Sequence, residues 1–349
     1  MPKRLAFVGP FDVAVLDYEE PELGATEVRV KTELASGKHG TTTAMFDGGA
    51  FQGQSFHQDM RLFVDSDETP RMPSPEAPWN SGTTGVSTVT AVGDAVTEWQ
   101  IGDRVFGLMD IRETNVCDAQ NLWALGDIDP ELALCIEPAY VAFHAVRESQ
   151  VRFGDSVVVV GLGALGLLAV RMAALSGVEK LFAVDLLPSR RAWALDHGAD
   201  AVFNPGDCDV ALEIHEMTGG KGVDVAIELS GAYAGLATAI RSVRVAGTVC
   251  SAGFYQREAH GLWLGREWHH NRLTMVVPHG CGWGHPPRDY PRWDEHRAYD
   301  ALVSLMRQGT LTAPGLIKPI VSIEEGNEVF RMIRDEPDRV IKYAVRFDA

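Results

Sequence analysis

The spacing of hydrophobic residues along the chain changes near residue 150. Before that point, residues 5–35 read as short strand-like segments separated by turn residues, and EVRVKTEL at 27–34 alternates like a half-buried strand. After it, a β-branched run at 157–160, a helical pattern at 165–176 and another apolar run at 181–184 follow one another. The first part predicts a β-rich domain, and the second predicts strands that alternate with helices.

The alternation continues to about residue 280. The predicted order is helix, strand, strand, helix, strand and strand, at 190–197, 201–203, 223–228, 233–243, 248–252 and 273–277. Strands separated by helices are joined by right-handed crossovers and form a parallel sheet with helices on both faces. The expected fold class is therefore α/β, with a doubly wound parallel sheet.

The two ends of the chain are expected to form one domain together. Three further elements follow the last strand: a loop at 278–293, a helix at 294–308 and a strand–helix–strand tail at 317–347. We place the β-rich domain at 1–150 and 281–349, and the inserted domain at 151–280. Residues 47–81 are rich in Gly, Pro and polar side chains and are expected to form long loops.

The composition is that of an ordinary globular protein and argues against several kinds of partner. Of the 349 residues, 46% are hydrophobic and 23% are charged, and the formal net charge is −17. Nucleic acids and anionic membranes attract concentrated basic surfaces, so neither is an expected partner. A small-molecule substrate is expected instead.

The chain carries neither an export signal nor a disulfide pattern that we can identify. Gly9, Pro10 and Asp12 interrupt the apolar run that a signal peptide needs, and the apolar run at 157–172 is too short for a membrane span. The five cysteines include no CxxC pair, which suits neither a disulfide framework nor a structural zinc site. We expect a cytoplasmic protein.

The strongest chemical motif is VVVVGLGALG, which directly follows the apolar run and opens a helix. Gly161, Gly163 and Gly166 form GxGxxG, with Ala164 and Leu165 between the last two. The first glycine permits a tight turn, the second allows close approach to a pyrophosphate, and the third lets the helix pack on the strand. The free N–H groups of the helix N-terminus favour phosphate, so the motif predicts a dinucleotide site.

Residues at the ends of neighbouring strands indicate which dinucleotide binds. Asp185 ends the next strand, where a carboxylate accepts hydrogen bonds from ribose hydroxyls and repels a 2′-phosphate. NAD is therefore the expected cofactor. Arg190 and Arg191 follow closely and keep NADP open, because a guanidinium pairs with phosphate. Ser230 is assigned to the same site.

Several segments, in this order, resemble the medium-chain dehydrogenase/reductase superfamily, which includes alcohol, sorbitol and threonine dehydrogenases. ASGKHGTTTAMFDG is similar to the first-ligand segment SGICGTDLHIYDG, and GTTGVSTVTAVG to GHEGVGVVVAVG. GDRVFG is the usual continuation, and LCIEPAYVAFHAV is similar to ALAEPLAVALHAV. The resemblance implies a Rossmann domain inserted in a GroES-like catalytic domain. It also implies a homodimer or homotetramer that pairs through the sixth strand.

The chain departs from the superfamily at the zinc ligands. His39 stands where the superfamily has its first cysteine ligand, and Thr41 where it has the proton-relay hydroxyl. Thr83 and Thr84 replace the histidine and glutamate of GHE, and the cysteine-rich structural zinc lobe is missing. Only Glu137, the EP glutamate, is kept as a possible ligand, and with His39 it makes two, since the hydroxyl of Thr83 binds metal weakly. Catalytic zinc needs three protein ligands, so no metal is predicted.

Hydride transfer without a metal requires side chains that handle the hydroxyl proton, a contribution of about 10²–10⁴-fold. His39 is the first candidate, because imidazole titrates near neutral pH. Lys38 is the second if burial lowers its pKa. Thr41 would pass the proton on, and Glu137 would orient His39. Each also has a structural reading, as a turn residue, a solvated lysine or a helix-start carboxylate.

The loop after the sixth strand contains the candidate substrate residues Trp283, His285, Arg288 and Tyr290. Aromatic side chains with a few polar groups suit a polyol, a sugar ring or a flat polycyclic substrate. Alternatively, these aromatics pack one domain onto the other or form a subunit contact.

Three functions remain open at this point. The leading one is a zinc-independent dehydrogenase that transfers hydride between NAD(H) and a secondary alcohol or ketone of a polyol, sugar or ring substrate. The second is an NADPH-dependent enone or quinone reductase of the same fold, against which Asp185 argues. The third is a non-catalytic NAD-binding protein.

Overall fold

The computed structural model describes residues 1–38, 40, 53–67, 72–256, 258–278 and 290–347. The strands before residue 130 are β1 (Lys3–Gly9), β2 (Asp12–Asp17), β3 (Glu27–Ser36), β4 (Gln54–His57), β5 (Leu62–Asp65), β6 (Trp79–Asn80), β7 (Thr84–Val92), β8 (Arg104–Gly107), β9 (Thr114–Asp118) and β10 (Leu122–Ala124). Two helices follow them, α1 (Pro130–Ala133) and α2 (Ile136–Glu148).

Strands and helices then alternate. The elements are β11 (Ser156–Val160), α3 (Ala164–Leu175), β12 (Lys180–Val184), α4 (Pro188–Asp196), β13 (Ala201–Phe203), α5 (Val210–Met217), β14 (Val223–Glu228), α6 (Tyr233–Ser242), β15 (Val243–Ser251), α7 (Glu267–His270) and β16 (Thr274–Val276). The chain ends with α8 (Glu295–Arg307), β17 (Ile317–Ser322), α9 (Gly326–Asp335), a 3₁₀ turn (Pro337–Arg339) and β18 (Lys342–Arg346).

The parallel sheet has the predicted doubly wound arrangement. Within the described residues its strand order is β13-β12-β11-β14-β15-β16, and every neighbouring pair is parallel. The central strands are apolar along nearly their whole length because helices cover both faces. The predicted α/β fold class is therefore confirmed.

The structure contains elements that the sequence pattern did not predict, among them α7 between β15 and β16. Helix α5 lies between β13 and β14, where the sequence pattern predicted only two strands. The carboxylate of Asp209 caps this helix by accepting from Leu212 N at 3.3 Å, a start signal that the prediction overlooked. Residues 47–81 were expected to form loops, but β4 and β5 form an antiparallel hairpin within them.

The β-rich part combines both ends of the chain. Its larger sheet has the order β10-β8-β7-β3-β18-β17 within the described residues, and β9 also pairs with β3. The C-terminal strand β18 pairs antiparallel with β3, placing Val345 opposite Ala35. Residues more than 300 positions apart therefore become neighbours.

Helix α2 connects the two sheets. It packs against α3, which starts at the glycine-rich loop, and against α8 from the C-terminal part. Its buried face belongs to the same hydrophobic core as β11 and α3. The helix start, which carries Glu137, is thereby held between the β-rich and parallel-sheet parts. None of the helices in the described ranges has the length and apolar character needed to cross a membrane.

Candidate functional site

Three strand ends lie level at one edge of the parallel sheet. Val160 at the end of β11 is in register with Val184 of β12 on one side and with Glu228 of β14 on the other. The carboxyl ends of parallel strands open onto a common crevice, where ligands bind in this kind of sheet. The loops that begin at Gly161, Asp185 and Leu229 therefore meet there.

The glycine-rich loop has the geometry that a dinucleotide needs. Gly161 has a φ of +88°, and a Cβ on it would lie 2.5 Å from the backbone nitrogen of Ser230. A Cβ on Gly163 would meet no protein atom within 4 Å, so this glycine faces open space. Gly163 is also the N-cap of α3 and makes no side-chain cap hydrogen bond. The first N–H groups of the helix, including those of Ala164 and Leu165, are thus available to a pyrophosphate.

Asp185 joins this loop to the second strand. Its carboxylate accepts from Leu162 N at 2.7 Å and from Leu187 N at 2.8 Å. The guanidinium of Arg190 lies 3.9 Å away from the same carboxylate. Arg191 turns back instead and donates to the carbonyl of Asp185 at 2.7 Å. Asp185 therefore lies between the glycine-rich loop and the start of α4, and Arg190 is the arginine that faces its carboxylate.

A cavity of about 570 Å³ runs along these loops. It contains the predicted Gly161, Asp185, Arg190 and Ser230 together in one place. The sequence analysis missed several of its other walls, namely Leu186, Pro205, Gly206, Thr238 and Pro337. The residues present fit a dinucleotide, because Gly161 and the strand-end carboxylate of Asp185 line one cavity and the helix N-terminus follows two residues after Gly161.

A buried glutamate that the sequence analysis missed lies beneath this cavity. Glu228 accepts hydrogen bonds from the Ser230 backbone N–H at 2.7 Å, from the Ser230 hydroxyl and from the Tyr255 hydroxyl. Burial raises the pKa of Glu228 above its usual range, although these hydrogen bonds act in the opposite direction. The sequence feature that could have predicted this residue is a carboxylate at the end of an apolar strand. Glu228 holds the Ser230 turn against Gly161.

A second cavity, of about 480 Å³, lies where the β-rich part meets α2 and α8. Lys38 Nζ lies 2.9 Å from Glu137 Oε1 at its wall, and the two side chains are 36% and 17% exposed. The remaining walls combine polar and aromatic side chains with the apolar Leu108, Met109 and Val116. They include Thr83, Asp110, Arg112, Asn115, Cys117, Tyr140, Glu295 and Tyr299.

The predicted Lys38 and Glu137 are thus brought together in one ion pair. Lys38 follows strand β3, and Glu137 lies in the first turn of α2. A third charged residue lies behind them. Lys342 on β18 is fully buried and donates to the carbonyl of Gly37 at 3.1 Å. Burial lowers the pKa of Lys342, while the negative charge of Glu137 opposes that shift.

The described residues around this cavity do not fit a catalytic zinc ion. Lys38 places an ammonium against Glu137, where a metal would need the carboxylate. The hydroxyl of Thr83 lies 3.2 Å from the carbonyl of Ser36, and that of Thr84 donates to the carbonyl of Leu134 at 3.0 Å. Within the described ranges, no three His, Cys, Asp or Glu side chains are grouped to hold a metal ion.

The cavity wall also carries a thiol, that of Cys117. Burial raises the pKa of Cys117 to about 11, so the side chain stays protonated at neutral pH. A metal-binding cysteine is a thiolate. The described walls carry three carboxylates, Asp110, Glu137 and Glu295, which are not grouped to hold one ion, and Glu137 is already paired with a lysine.

Five of the predicted site residues lie outside the described residues: His39, Thr41, Trp283, His285 and Arg288. Their roles stay predictions. Tyr290 is 58% exposed. The neighbouring Trp293 packs between the guanidinium groups of Arg147 and Arg297, each 4.2 Å from the ring centroid. This stacking joins the end of the predicted substrate loop to α2 and α8.

The polar residues opposite the ion pair were also missed. Arg112 Nε donates to Asn115 Oδ1 at 2.9 Å, and Asn115 Nδ2 lies 3.1 Å from Thr32 Oγ1. Tyr140 and Tyr299 stack at 4.4 Å and form an aromatic wall. Their positions in the sequence carry no motif, because each comes from a different element. The cavity combines hydrogen-bonding groups with stacked rings, which suits a polyhydroxylated substrate.

Comparisons with known proteins agree with this architecture. A family model described as zinc-binding dehydrogenase matches residues 164–293. D-guloside 3-dehydrogenase of Escherichia coli strain K12 is 33% identical over 358 residues, covering 99% of this chain and 100% of that protein. (R,R)-butanediol dehydrogenase of Bacillus subtilis strain 168 is 28% identical over 350 residues, covering 90% of this chain and 92% of that protein.

Solved structures share the fold along the whole chain. 2R,3R-butanediol dehydrogenase from Bacillus subtilis has a TM-score of 0.77 at 24% identity, with full coverage of both chains. A dehydrogenase of Sinorhizobium meliloti 1021 bound to NADP has a TM-score of 0.76 at 19% identity, covering 99% of each chain. An alcohol dehydrogenase of Escherichia coli CFT073 complexed with NADH has a TM-score of 0.75 at 18% identity, also covering 99% of each chain. This chain belongs to the medium-chain dehydrogenase/reductase superfamily, a group of oxidoreductases.

Proposed function

We propose that this protein is an NAD-dependent dehydrogenase that oxidises a secondary alcohol on a sugar ring or polyol without a catalytic zinc ion. The observation that carries the proposal is the Lys38–Glu137 ion pair, 2.9 Å long, in the wall of the 480 Å³ cavity. The name of the relative from Escherichia coli, a guloside dehydrogenase, supports a sugar substrate. The hydrogen-bonding groups and stacked tyrosines of the cavity support the same class.

The dinucleotide cavity supports NAD as the cofactor. Asp185 presents its carboxylate at the strand end where ribose hydroxyls bind, and a 2′-phosphate there would meet a like charge. The amides of Ala164 and Leu165 and the open face of Gly163 would hold the pyrophosphate. When bound, oxidised nicotinamide supplies the acceptor for the hydride.

Lys38 is assigned the role that a metal has in relatives with a zinc site. Its ammonium stabilises negative charge on the substrate oxygen as the hydride leaves. The hydroxyl proton moves to Lys38 Nζ while Nζ passes a proton to Glu137 Oε1, so the oxygen ends as a carbonyl. In the reverse direction, Nζ returns the proton to the carbonyl oxygen. His39 and Thr41 stay candidates for carrying the proton to solvent.

The test is turnover of a panel of sugars and polyols with NAD and with NADP, before and after exhaustive chelation. We expect NAD-dependent oxidation that survives chelation. Lys38→Met should lower kcat/KM about 10²–10⁴-fold, and Lys38→Arg should retain part of it. Lys31→Met, which removes an exposed lysine from the same strand region, is the matched control. One stoichiometric zinc ion whose removal abolishes turnover would disprove the proposed mechanism.

The assembly and compartment belong to the same proposal. Strand β16 lies at the edge of the parallel sheet within the described residues, and an exposed edge favours pairing with a second copy. We propose a homodimer or homotetramer, to be tested by light scattering. The described cysteines Cys117, Cys135, Cys208 and Cys250 are free thiols, which suits the reducing cytoplasm.

A further inference from the structure

The β-rich part of the chain places a carboxylate next to the proposed dinucleotide cavity. The 3₁₀ turn Pro337–Arg339 lies between α9 and β18, and Pro337 lines the 570 Å³ cavity beside Asp185. The neighbouring Asp338 contacts the start of α4. Its Oδ1 accepts from Ser189 N at 3.1 Å and lies 2.7 Å from Ser189 Oγ. The two residues are 149 positions apart in sequence.

Asp338 takes the place of a cap that helix α4 lacks. The N-cap residue is Leu187, whose side chain accepts no hydrogen bond, and Pro188 at the first helical position has no N–H. The first N–H available for capping is therefore that of Ser189, and Asp338 accepts it. A carboxylate at this end is also favoured by the helix dipole. The anion position at the start of α4 is thus filled by the protein itself.

The arginine that faces this position is already engaged. Arg190 lies 3.9 Å from the carboxylate of Asp185 and donates to the carbonyl of Val340 at 3.3 Å. Its side chain is 16% exposed. Burial lowers the pKa of Arg190, and the charges of Asp185 and Asp338 act in the opposite direction. Two carboxylates therefore share the field of one partly buried guanidinium.

We propose that Asp338 is a second determinant of cofactor specificity, acting with Asp185 to exclude a 2′-phosphate from the start of α4. The proposal rests on the proposed NAD-dependent function. A 2′-phosphate beside the ribose would approach the α4 start and Arg190, since both attract anions. Asp338 already occupies the α4 start and weakens the attraction of Arg190 for an anion. Its negative charge also repels the phosphate directly.

The experiment compares two nucleotides on the full-length protein. Dissociation constants for adenosine 2′,5′-bisphosphate and for 5′-AMP are measured by calorimetry. The constant for the bisphosphate divided by the constant for 5′-AMP, called the ratio below, reports the effect of the 2′-phosphate alone. Asp338→Asn keeps an oxygen that caps Ser189 but removes the charge. Asp196→Asn removes an exposed charge from the opposite end of α4 and is the matched control. Asp338→Ala, which removes both cap and charge, is the second variant.

We expect Asp338→Asn to lower the ratio about threefold to tenfold at low salt, with a smaller change at 0.5 M NaCl because the carboxylate is exposed. Asp196→Asn should leave the ratio unchanged. An inactive or unfolded fraction scales both binding signals together, so the ratio still reports specificity if a variant folds poorly.

The outcomes separate the two proposals. A wild-type protein that prefers NADP to NAD contradicts the proposed cofactor, whatever the variants do. A wild-type protein that prefers NAD, with a ratio that is the same in Asp338→Asn and Asp196→Asn, overturns the role of Asp338 alone. A ratio lowered by both asparagine and alanine variants supports it.

Discussion

The two cavities of this protein are built in different ways. The glycine-rich loop of the proposed dinucleotide site acts through its backbone, with glycine where a Cβ would collide and a helix N-terminus directly after it. The proposed substrate cavity is lined by side chains from distant elements, including Lys38, Asp110, Glu137 and Glu295. A site made of backbone depends on fold, whereas a site made of side chains changes with single substitutions.

This difference explains why one site follows its superfamily and the other departs from it. Pyrophosphate recognition uses amides that every residue carries, so the fold preserves it as long as the glycines remain. A metal site depends on the identity of three side chains. Threonine at positions 83 and 84 is compatible with the β-sheet, since both hydroxyls donate to nearby carbonyls, but a neutral hydroxyl is a poor metal ligand.

The largest expected effect tests the backbone-built site. Gly161→Ala places a Cβ 2.5 Å from Ser230 N at a φ of +88°. Loss of two charge-assisted hydrogen bonds to the pyrophosphate, about 3 kcal/mol, weakens NAD binding about a hundredfold. Gly163→Ala meets no protein atom, so the Tm should stay within about 2 °C while NAD binding weakens about tenfold.

Gly102→Ala is the control for backbone strain, because Gly102 also has a positive φ but faces open space. It should lower stability without changing the NAD dissociation constant. Calorimetric titration and thermal unfolding give both quantities. Wild-type NAD affinity in Gly161→Ala would show that the cofactor does not bind at this loop.

An intermediate effect tests the side-chain-built site. Glu137→Gln removes the proton acceptor and the charge that holds the Lys38 ammonium, 2.9 Å away. We expect kcat to fall about tenfold to a hundredfold, with the NAD dissociation constant unchanged. Stopped-flow hydride transfer with the best sugar of the panel measures the step directly.

Glu131→Gln, on neighbouring α1, is the matched control and should keep wild-type turnover. If Glu137→Gln turns over as fast as this control, the pair has a structural role only. An equal loss of NAD affinity and kcat would instead point to displacement of α2.

The smallest expected effect concerns stability and pH. Burial lowers the pKa of Lys342 below the 10.5 of an exposed lysine, so the unfolded chain binds this proton more tightly than the folded one. The contribution of Lys342 to the free energy of unfolding therefore rises with pH through its folded pKa and levels off above 10.5. Lys342→Met lacks this dependence.

Urea unfolding at several pH values between 7 and 10 measures the free energy of unfolding of the wild type and of Lys342→Met. The wild-type value minus the variant value is the gap discussed here. This difference should increase as pH rises, because the wild type gains stability relative to the variant. Lys31→Met, an exposed lysine, should show a constant gap. A gap for Lys342→Met that is flat or moves the other way would mean that Lys342 is not desolvated as its burial indicates.

Much of the parallel sheet was predictable from local pattern. The glycine motif, the strand-end Asp185 and most strands lie where the hydrophobic spacing indicates, because each depends on neighbours within about 30 residues. Helix α5 was missed although Asp209 marks its start. The bounds of the β-rich domain remain a prediction.

The sequence by itself determined the alternation of strands and helices and the loop that receives a dinucleotide, since these follow from residue spacing and backbone freedom. Only the tertiary structure decided that Lys38 pairs with Glu137, that Lys342 is buried behind this ion pair and that Asp338 caps α4. Those contacts join residues about 100 to 300 positions apart. Their energies come from charge and burial, which arise only once separate elements have packed together.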